Sequence, residues 1–434
     1  MQREIQVNEK LPMGPGFLLS LQHLFAMFGS TVLVPNLFGV DPGMILLMNG
    51  LGTLLYIFIC RGKIPAYLGS SFAFISPVLA VLADHKDDHM HGYSLALGAF
   101  IVTGIIFVLV AVVVRYAGTS WIDVVFPPAV MGAIVATIGL ELVPVAAGMA
   151  GLISTDGAAD WTPDGNAILL SMVTMGVTVL GALVFRGFPK IIHILIGIVT
   201  GYGLAYVMGL VNTESISKAS FFAHPTLITP SFDWNVILTI VPVSLVVIVE
   251  HIGHLLVTSN IVGKDLAKDP GLDRSLMGNG ISTIISGFVG STPNTTYGEN
   301  IGVMALTKVY SVYVIGGAAI IAILLSFSGT FSSVIANIPL PVMGGVSLLL
   351  FGVIAASGLR IFVEQKVDFS KATNMIMASL VLVTGISGAT LKMGGVQLSG
   401  MALATIVGIV LALFIKLIEV LGWSNEEKNE KSAH

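Results

Sequence analysis

The chain has 434 residues, of which 55% are apolar and 10% charged, with 49 glycines and a net charge of -4. A soluble globular chain carries roughly 25% charged residues, so this one lacks the polar side chains to cover a water-facing surface of its size. That excludes a cytosolic enzyme, a nucleic-acid binder and a disordered scaffold, and leaves a polytopic membrane protein. The lone cysteine, Cys60, excludes a disulfide framework and a cysteine metal cluster.

In chain order, a polar segment over residues 1–15 precedes a first apolar stretch at 16–35. It is too long for a signal-peptide core, and no small-residue cleavage site follows, so it is expected to remain as a span. Further apolar stretches lie near 42–59, 66–83, 93–114, 125–146, 166–184, 191–211, 235–257, 277–290, 294–307, 309–328, 335–358, 373–390 and 400–421. About 20 residues of helix cross a bilayer. The expectation is therefore an all-α polytopic membrane protein of 14 transmembrane segments with short loops and no soluble domain. The polar tail at 424–434 is expected to be disordered.

The loops orient the chain. With the N-terminus cytoplasmic, 17 of the 20 basic residues fall on the inner side, and only Lys86, Lys218 and Lys392 on the outer. The positive-inside rule thus supports both the span count and cytoplasmic termini.

Two spans carry a shared motif. Span five opens Pro127-Pro128-Ala129-Val130-Met131-Gly132, and span twelve opens Pro339-Leu340-Pro341-Val342-Met343-Gly344. Both read Pro-x-x-Val-Met-Gly. Seven spans separate them, and an odd separation inverts the second copy. Two inverted seven-span repeats are expected, the arrangement behind alternating access in many secondary transporters. Chance recurrence of common membrane residues is the alternative.

Spans three and ten hold matching places in the two halves, and both are poor helices. Residues 66–77 (AYLGSSFAFISP) and 290–302 (GSTPNTTYGENIG) are dense in Gly, Ser, Thr and Pro. Each reads as an extended piece followed by a half-helix. Non-helical backbone at membrane depth is tolerated only in protein or beside a cavity, so the pair points to a binding site. Two kinked helices without a ligand are the plainer reading.

Few polar groups lie within the spans. Glu250 sits in a Val/Ile run, where an ionised carboxylate costs about 2.5–3.5 kcal/mol. His254 lies four residues on, hence on the same helix face, and histidine changes charge near neutral pH. The pair suits a proton relay, against a structural interhelical contact. Glu299 stands at the break in span ten, where the helix dipole favours a carboxylate; there it either serves the site or only caps the half-helix. Two carboxylates at one midplane cavity, with no Arg or Lys in the surrounding spans, suit a neutral molecule rich in N–H donors, or a cation. Gln22, His23 and Asn49 are intramembrane polar residues of core or supporting type. Glu141 is expected to be wet, near the outer end of span five. The loop 84–91 has three histidines and three acids, read as a solvated outer loop rather than a metal site. No phosphate-cradling motif appears, so ATP is not expected as the energy source.

Residues 299–308 (ENIGVMALTK) match the acid-Asn-x-Gly-x4-Thr-basic signature of the nucleobase–ascorbate transporter family, and Gln22-His23 matches its Gln-His pair. The chain resembles that family over nearly its whole length. Residues 20–35, 63–77, 250–254, 290–304 and 339–350 resemble most closely the bacterial members that carry uracil together with a proton. The resemblance implies a core domain of spans one to four and eight to eleven (12–118 and 233–328). It implies a gate domain of spans five to seven and twelve to fourteen (119–232 and 329–423), which also makes a homodimer. Two short antiparallel strands from spans three and ten would cross beside the substrate. Glu250 and Glu299 would hydrogen-bond uracil, with contacts from Phe72 and Gly298. His254 would couple protonation through Tyr297 and its neighbours, and Gln22, His23, Ser71 and Asn300 would support the site. No cofactor, metal or nucleic acid is implied, only membrane lipid around the chain. Other readings are xanthine or urate as cargo, a channel through the interrupted spans, and a membrane enzyme using Glu250 and His254 as acid and base.

Overall fold

The computed structural model describes residues 4–154, 160–393 and 396–424. Beyond Ser424 the tail expected to be disordered lies outside the described residues. Among those described, eight helices are long and apolar enough to cross a membrane, and four more apolar helices have 10–17 residues. The protein is a mostly helical, multi-pass membrane protein with two small sheets.

The first apolar stretch folds as α1 (Met13–Ala26) and α2 (Phe28–Phe38), parted by Met27. Gly39, at φ 61°, ends α2 in the left-handed conformation that glycine adopts without strain. Asp41 then caps α3 (Pro42–Ile59), accepting from the Gly43 N–H at 2.8 Å, with Pro42 in the first turn where no N–H is needed. The poor helix at 66–77 becomes β1 (Leu68–Ser70), a 3-10 turn and α4 (Ile75–Asp84). α5 (His89–Ala117), α6 (Pro128–Glu141), α7 (Gly165–Val184) and α8 (His193–Val207) complete the first half. The second half holds α9 (Trp234–Ile240), α10 (Val243–Val262), α11 (Leu272–Val289), β2 (Asn294–Thr296), α12 (Gly298–Thr307) and α13 (Val312–Ser326). It ends with α14 (Leu340–Glu364), α15 (Ala372–Ile386), a hairpin of β3 (Thr390–Met393) and β4 (Val396–Ser399), and α16 (Gly400–Val420). The hairpin was not anticipated; it fills the short connection between the apolar stretches 373–390 and 400–421.

β1 and β2 pair antiparallel, with Leu68 opposite Thr296 and Ser70 opposite Asn294. Buried backbone groups left over by so short a sheet must find other partners. Threonines of the neighbouring helices supply them. Thr53 Oγ1 accepts from the Leu68 N–H at 2.8 Å, and Thr283 Oγ1 from the Asn294 N–H at 3.2 Å. The Ser71 N–H donates to the Pro293 carbonyl at 2.9 Å, and Thr292 Oγ1 donates to Ser70 Oγ at 2.7 Å. Within the segments themselves, the hydroxyls of Thr292 and Ser70 add a bond across the crossing.

Helices around it approach closely through small residues. On α5 and α11, a Cβ at Gly104 would stand 2.7 Å from the Gly280 carbonyl, and one at Gly280 would stand 2.8 Å from that of Gly104. The two Pro-x-x-Val-Met-Gly copies begin α6 and α14, which pack on one another. Their prolines sit at the first helical turns.

Candidate functional site

α10 brings the intramembrane acid and histidine to the crossing. It ends at Gly263, φ 70°, again a left-handed cap. Beside it, Tyr297 turns the chain out of β2 and α12 begins at Gly298. Between α6, α10, α12 and α14 lies a cavity of ≈ 180 Å³ whose walls include Glu250, His254 and Gly298. Glu250 Oε2 accepts from Thr295 Oγ1 at 3.5 Å, and the Glu299 carboxylate is near enough to act on it electrostatically. His254 Nδ1 shares a hydrogen bond with Thr296 Oγ1 at 3.1 Å. Its other nitrogen faces Gly298, where a Cβ would stand 3.3 Å from Nε2. Glycine there keeps the imidazole open to the cavity.

The remaining expected residues fall around this centre. Glu299 lies in the first turn of α12, half-buried, and is not among the residues lining the cavity. Phe72 is not among them either. It is buried between two rings, Tyr297 (centroids 6.3 Å apart) and Phe351 of α14 (5.9 Å, edge-on). Tyr297 is buried; its hydroxyl donates to the Ser70 carbonyl at 2.7 Å, so it braces the strand crossing. Asn300 Nδ2 donates to the His23 carbonyl at 3.1 Å and meets His23 Nδ1 at the same distance, which ties the Gln-His pair to the signature. Gln22 Oε1 and Ser71 Oγ are buried without a hydrogen-bond partner.

One expectation is corrected. The cavity wall does hold a basic residue, Arg360, ion-paired with Glu364 at 2.6 Å. α14 has 25 residues, about 37 Å of helix, so its last turns overhang the end of the cavity. Arg360 counted as a loop residue in sequence but belongs to that helix. Glu141 keeps part of its surface exposed. It is half-buried, and its Oε2 accepts from the Met401 N–H at 2.7 Å at the start of α16. Gly400, φ 53°, leaves the space its carboxylate occupies.

Glu141 and Ser76 line a second cavity, of ≈ 580 Å³, with Asp84, His85, His91 and Asp233. In the His-rich loop, His85 Nδ1 bonds the Val81 carbonyl, and Asp88 caps the His91 N–H. α6 lends Val135 to the first cavity and Glu141 to the second, and α10 lends Glu250 and Val243. Six or seven helical residues part the two cavities, roughly 10 Å of packed protein.

His251 went unremarked in the sequence. It is fully buried, and its Nε2 meets Ser275 Oγ at 2.7 Å; Ser275 Oγ in turn meets the Tyr56 hydroxyl at 2.6 Å. The available signal was its spacing of three from His254, which makes the two neighbours on α10.

Residues 16–394 match the model of the Permease family, Xan_ur_permease. The chain belongs to this family. The match agrees with the nucleobase–ascorbate transporter motifs at 22–23 and 299–308. Relatives in the family include the uracil permease of Escherichia coli K12, 62% identical over 420 residues, covering 97% of this chain and 96% of that one. The uracil permease of Paenibacillus larvae is 59% identical over 424 residues, covering 98% and 99%. These relatives are permeases, and this chain is a transporter of their family, not an enzyme. In fold it is similar to the inward-facing murine anion transporter Slc26a9 (TM-score 0.71, 11% identity, 95% of this chain and 69% of that one). It is also similar to the transmembrane domain of the cyanobacterial bicarbonate transporter BicA (TM-score 0.62, 15% identity, 95% and 99%). At such identities the likeness speaks for the fold alone.

Proposed function

We propose that this permease imports uracil with a proton across the cell inner membrane, by alternating access of a core domain (12–118, 233–328) against a gate domain (119–232, 329–423). Fourteen spans in two inverted repeats, cytoplasmic termini and a homodimer through the gate complete the reading. The observation that carries it is the meeting of Glu250, His254 and Gly298 on one small cavity beside paired strands from the two halves. Support for uracil as the cargo comes from relatives of that name at 59–62% identity.

The chemistry fits a neutral ring. Uracil offers N–H donors and carbonyl acceptors in alternation. An ionised carboxylate only accepts, while a protonated one also donates. One proton held among Glu250, Glu299 and His254 makes the site complementary to the ring, and its loss weakens the hold and favours release. Glu250 binds the ring from the cavity wall, Glu299 and Phe72 reach it only as the site closes on substrate, and His254 links protonation to binding. Two cavities about 10 Å apart on α6 and α10, each approaching the barrier from its own end, are what a carrier with alternating openings requires.

The test is uptake of labelled uracil into proteoliposomes with and without an inwardly directed proton gradient. Gradient-stimulated uptake, competed by unlabelled uracil and not by xanthine or urate, is the expected result. Competition by the purines moves the cargo; passive flux indifferent to the gradient removes proton coupling.

A further inference from the structure

Among the described residues, His254 lines both the Glu250 cavity and a small void behind it. The void has no room for a water molecule, and its walls include Tyr56, His251, Thr258 and Thr296. A proton on His254 therefore has two neighbours: the substrate on one side and side chains of the core on the other.

On that inner side stands a hydrogen-bonded polar chain that begins at His251. His251 neighbours His254 on the same helix and is 1% exposed. Its Nδ1 is buried without a hydrogen-bond partner, while Nε2 meets Ser275 Oγ. Ser275 meets the Tyr56 hydroxyl, and the Tyr56 ring stands edge-on to His251 with centroids 6.2 Å apart. Tyr56 lies one turn from the end of α3, and Ser275 lies in the first turn of α11. At that end Arg274 donates to the Ile59 carbonyl at 3.3 Å, and Arg61, Lys63 and Lys264 line an open cavity of ≈ 530 Å³. The chain thus runs from the site toward the basic, wet end of the molecule, inside one bundle of helices. Three polar side chains from three helices, enclosed in apolar protein, are costly to keep unless they are used or fully satisfied.

We infer that His251, Ser275 and Tyr56 conduct the coupled proton from His254 to the cytoplasmic end, by a route separate from that of the substrate. The inference rests on the proton-coupled reading above. His254, protonated on both ring nitrogens, releases one proton to the unpartnered Nδ1 of His251 once the two imidazoles turn toward each other. His251 releases its Nε2 proton to Ser275 Oγ, Ser275 passes its own hydrogen to the Tyr56 oxygen, and Tyr56 passes its own, by way of the neighbouring Cys60 sulfur, to water in the Arg61–Lys63–Lys264 cavity. Each group gains one proton and loses one, and rotation of the ring and hydroxyls restores the start. The titratable groups facing His251 are His254 on its own helix and Tyr56 from α3. Cys60 lies one turn beyond Tyr56, Asp273 and Arg274 flank the chain's end, and Glu250 adjoins on the cavity side.

The test separates proton release from substrate movement. Uracil-for-uracil exchange in proteoliposomes needs no net proton transfer, whereas gradient-driven net uptake does. In His251→Gln, Ser275→Ala and Tyr56→Phe, net uptake is expected to fall at least about tenfold, as for removal of a proton-transfer group. Exchange is expected to fall less than about twofold, and the pH profile of net uptake to flatten. Parallel loss of both activities, or loss of neither, overturns the inference and makes the triad structural. A variant that does not fold is replaced by Ser275→Thr, which keeps the hydroxyl and is expected to restore net uptake relative to Ser275→Ala. If the native protein shows no gradient stimulation, proton coupling itself fails first, and the two failures are distinct.

Discussion

The Tyr297 hydroxyl donates to the Ser70 carbonyl at 2.7 Å across 227 residues of sequence, and the ring lies where a side chain at position 69 would be. One residue of the second half therefore locks the strand of the first. The half-helix that carries Glu299 and Asn300 starts directly after it.

Tyr297→Phe removes that bond and leaves a buried carbonyl unpaired, a loss of about 1–3 kcal/mol. Thermal melting of the purified protein should fall by several degrees. Gly69→Ala pushes a methyl into the Tyr297 ring. It should damage folding more than Tyr297→Phe does; an equally stable Gly69→Ala protein would contradict the close approach.

Glu250→Gln keeps the size of the side chain and removes its charge. Hydrogen bonds to a charged group are worth about 1.5–3 kcal/mol, so uracil affinity should drop roughly ten- to a hundredfold. Isothermal titration or a radioligand assay reads this directly. Unchanged affinity would remove Glu250 from the proposed contacts.

Gly298→Ala places a methyl 3.3 Å from His254 Nε2, tighter than a relaxed contact. The imidazole has to give, and the cavity of ≈ 180 Å³ narrows. Uracil binding should weaken at least as much as thermal stability falls. A variant with native affinity would mean that substrate does not approach this wall.

Asn300→Ala frees the His23 carbonyl and ring nitrogen in a buried place. The expected cost is about 1–3 kcal/mol of stability. Arg360→Ala, by contrast, breaks an exposed i,i+4 pair, worth about 0.3–0.5 kcal/mol. Its melting temperature should stay near native. A comparable fall in both would show that Arg360 holds more than Glu364.

Much of this protein is local in origin. Composition alone demands a lipid-facing chain, because too few charges exist to coat it. Apolar runs of sufficient length become helices, since an isolated backbone in hydrocarbon must bond to itself. The breaks at 66–77 and 290–302 are equally local: proline, glycine and hydroxyl side chains spoil the helix wherever they cluster. The signature at 299–308 identifies the family for the same reason, being contiguous.

Contacts between distant segments are another matter. That β1 meets β2 in the register Leu68 to Thr296, that Asn300 holds His23, and that His251 finds Ser275 and Tyr56 are decided by packing of helices from both halves. Hydropathy cannot rank such pairings, because any apolar face packs acceptably on many others. Arg360 makes the point in reverse: its charge reads as a loop, yet the length of α14 carries it to the cavity's edge. Residue type sets what each side chain is able to do, and the three-dimensional arrangement of helices selects which neighbours it does it with.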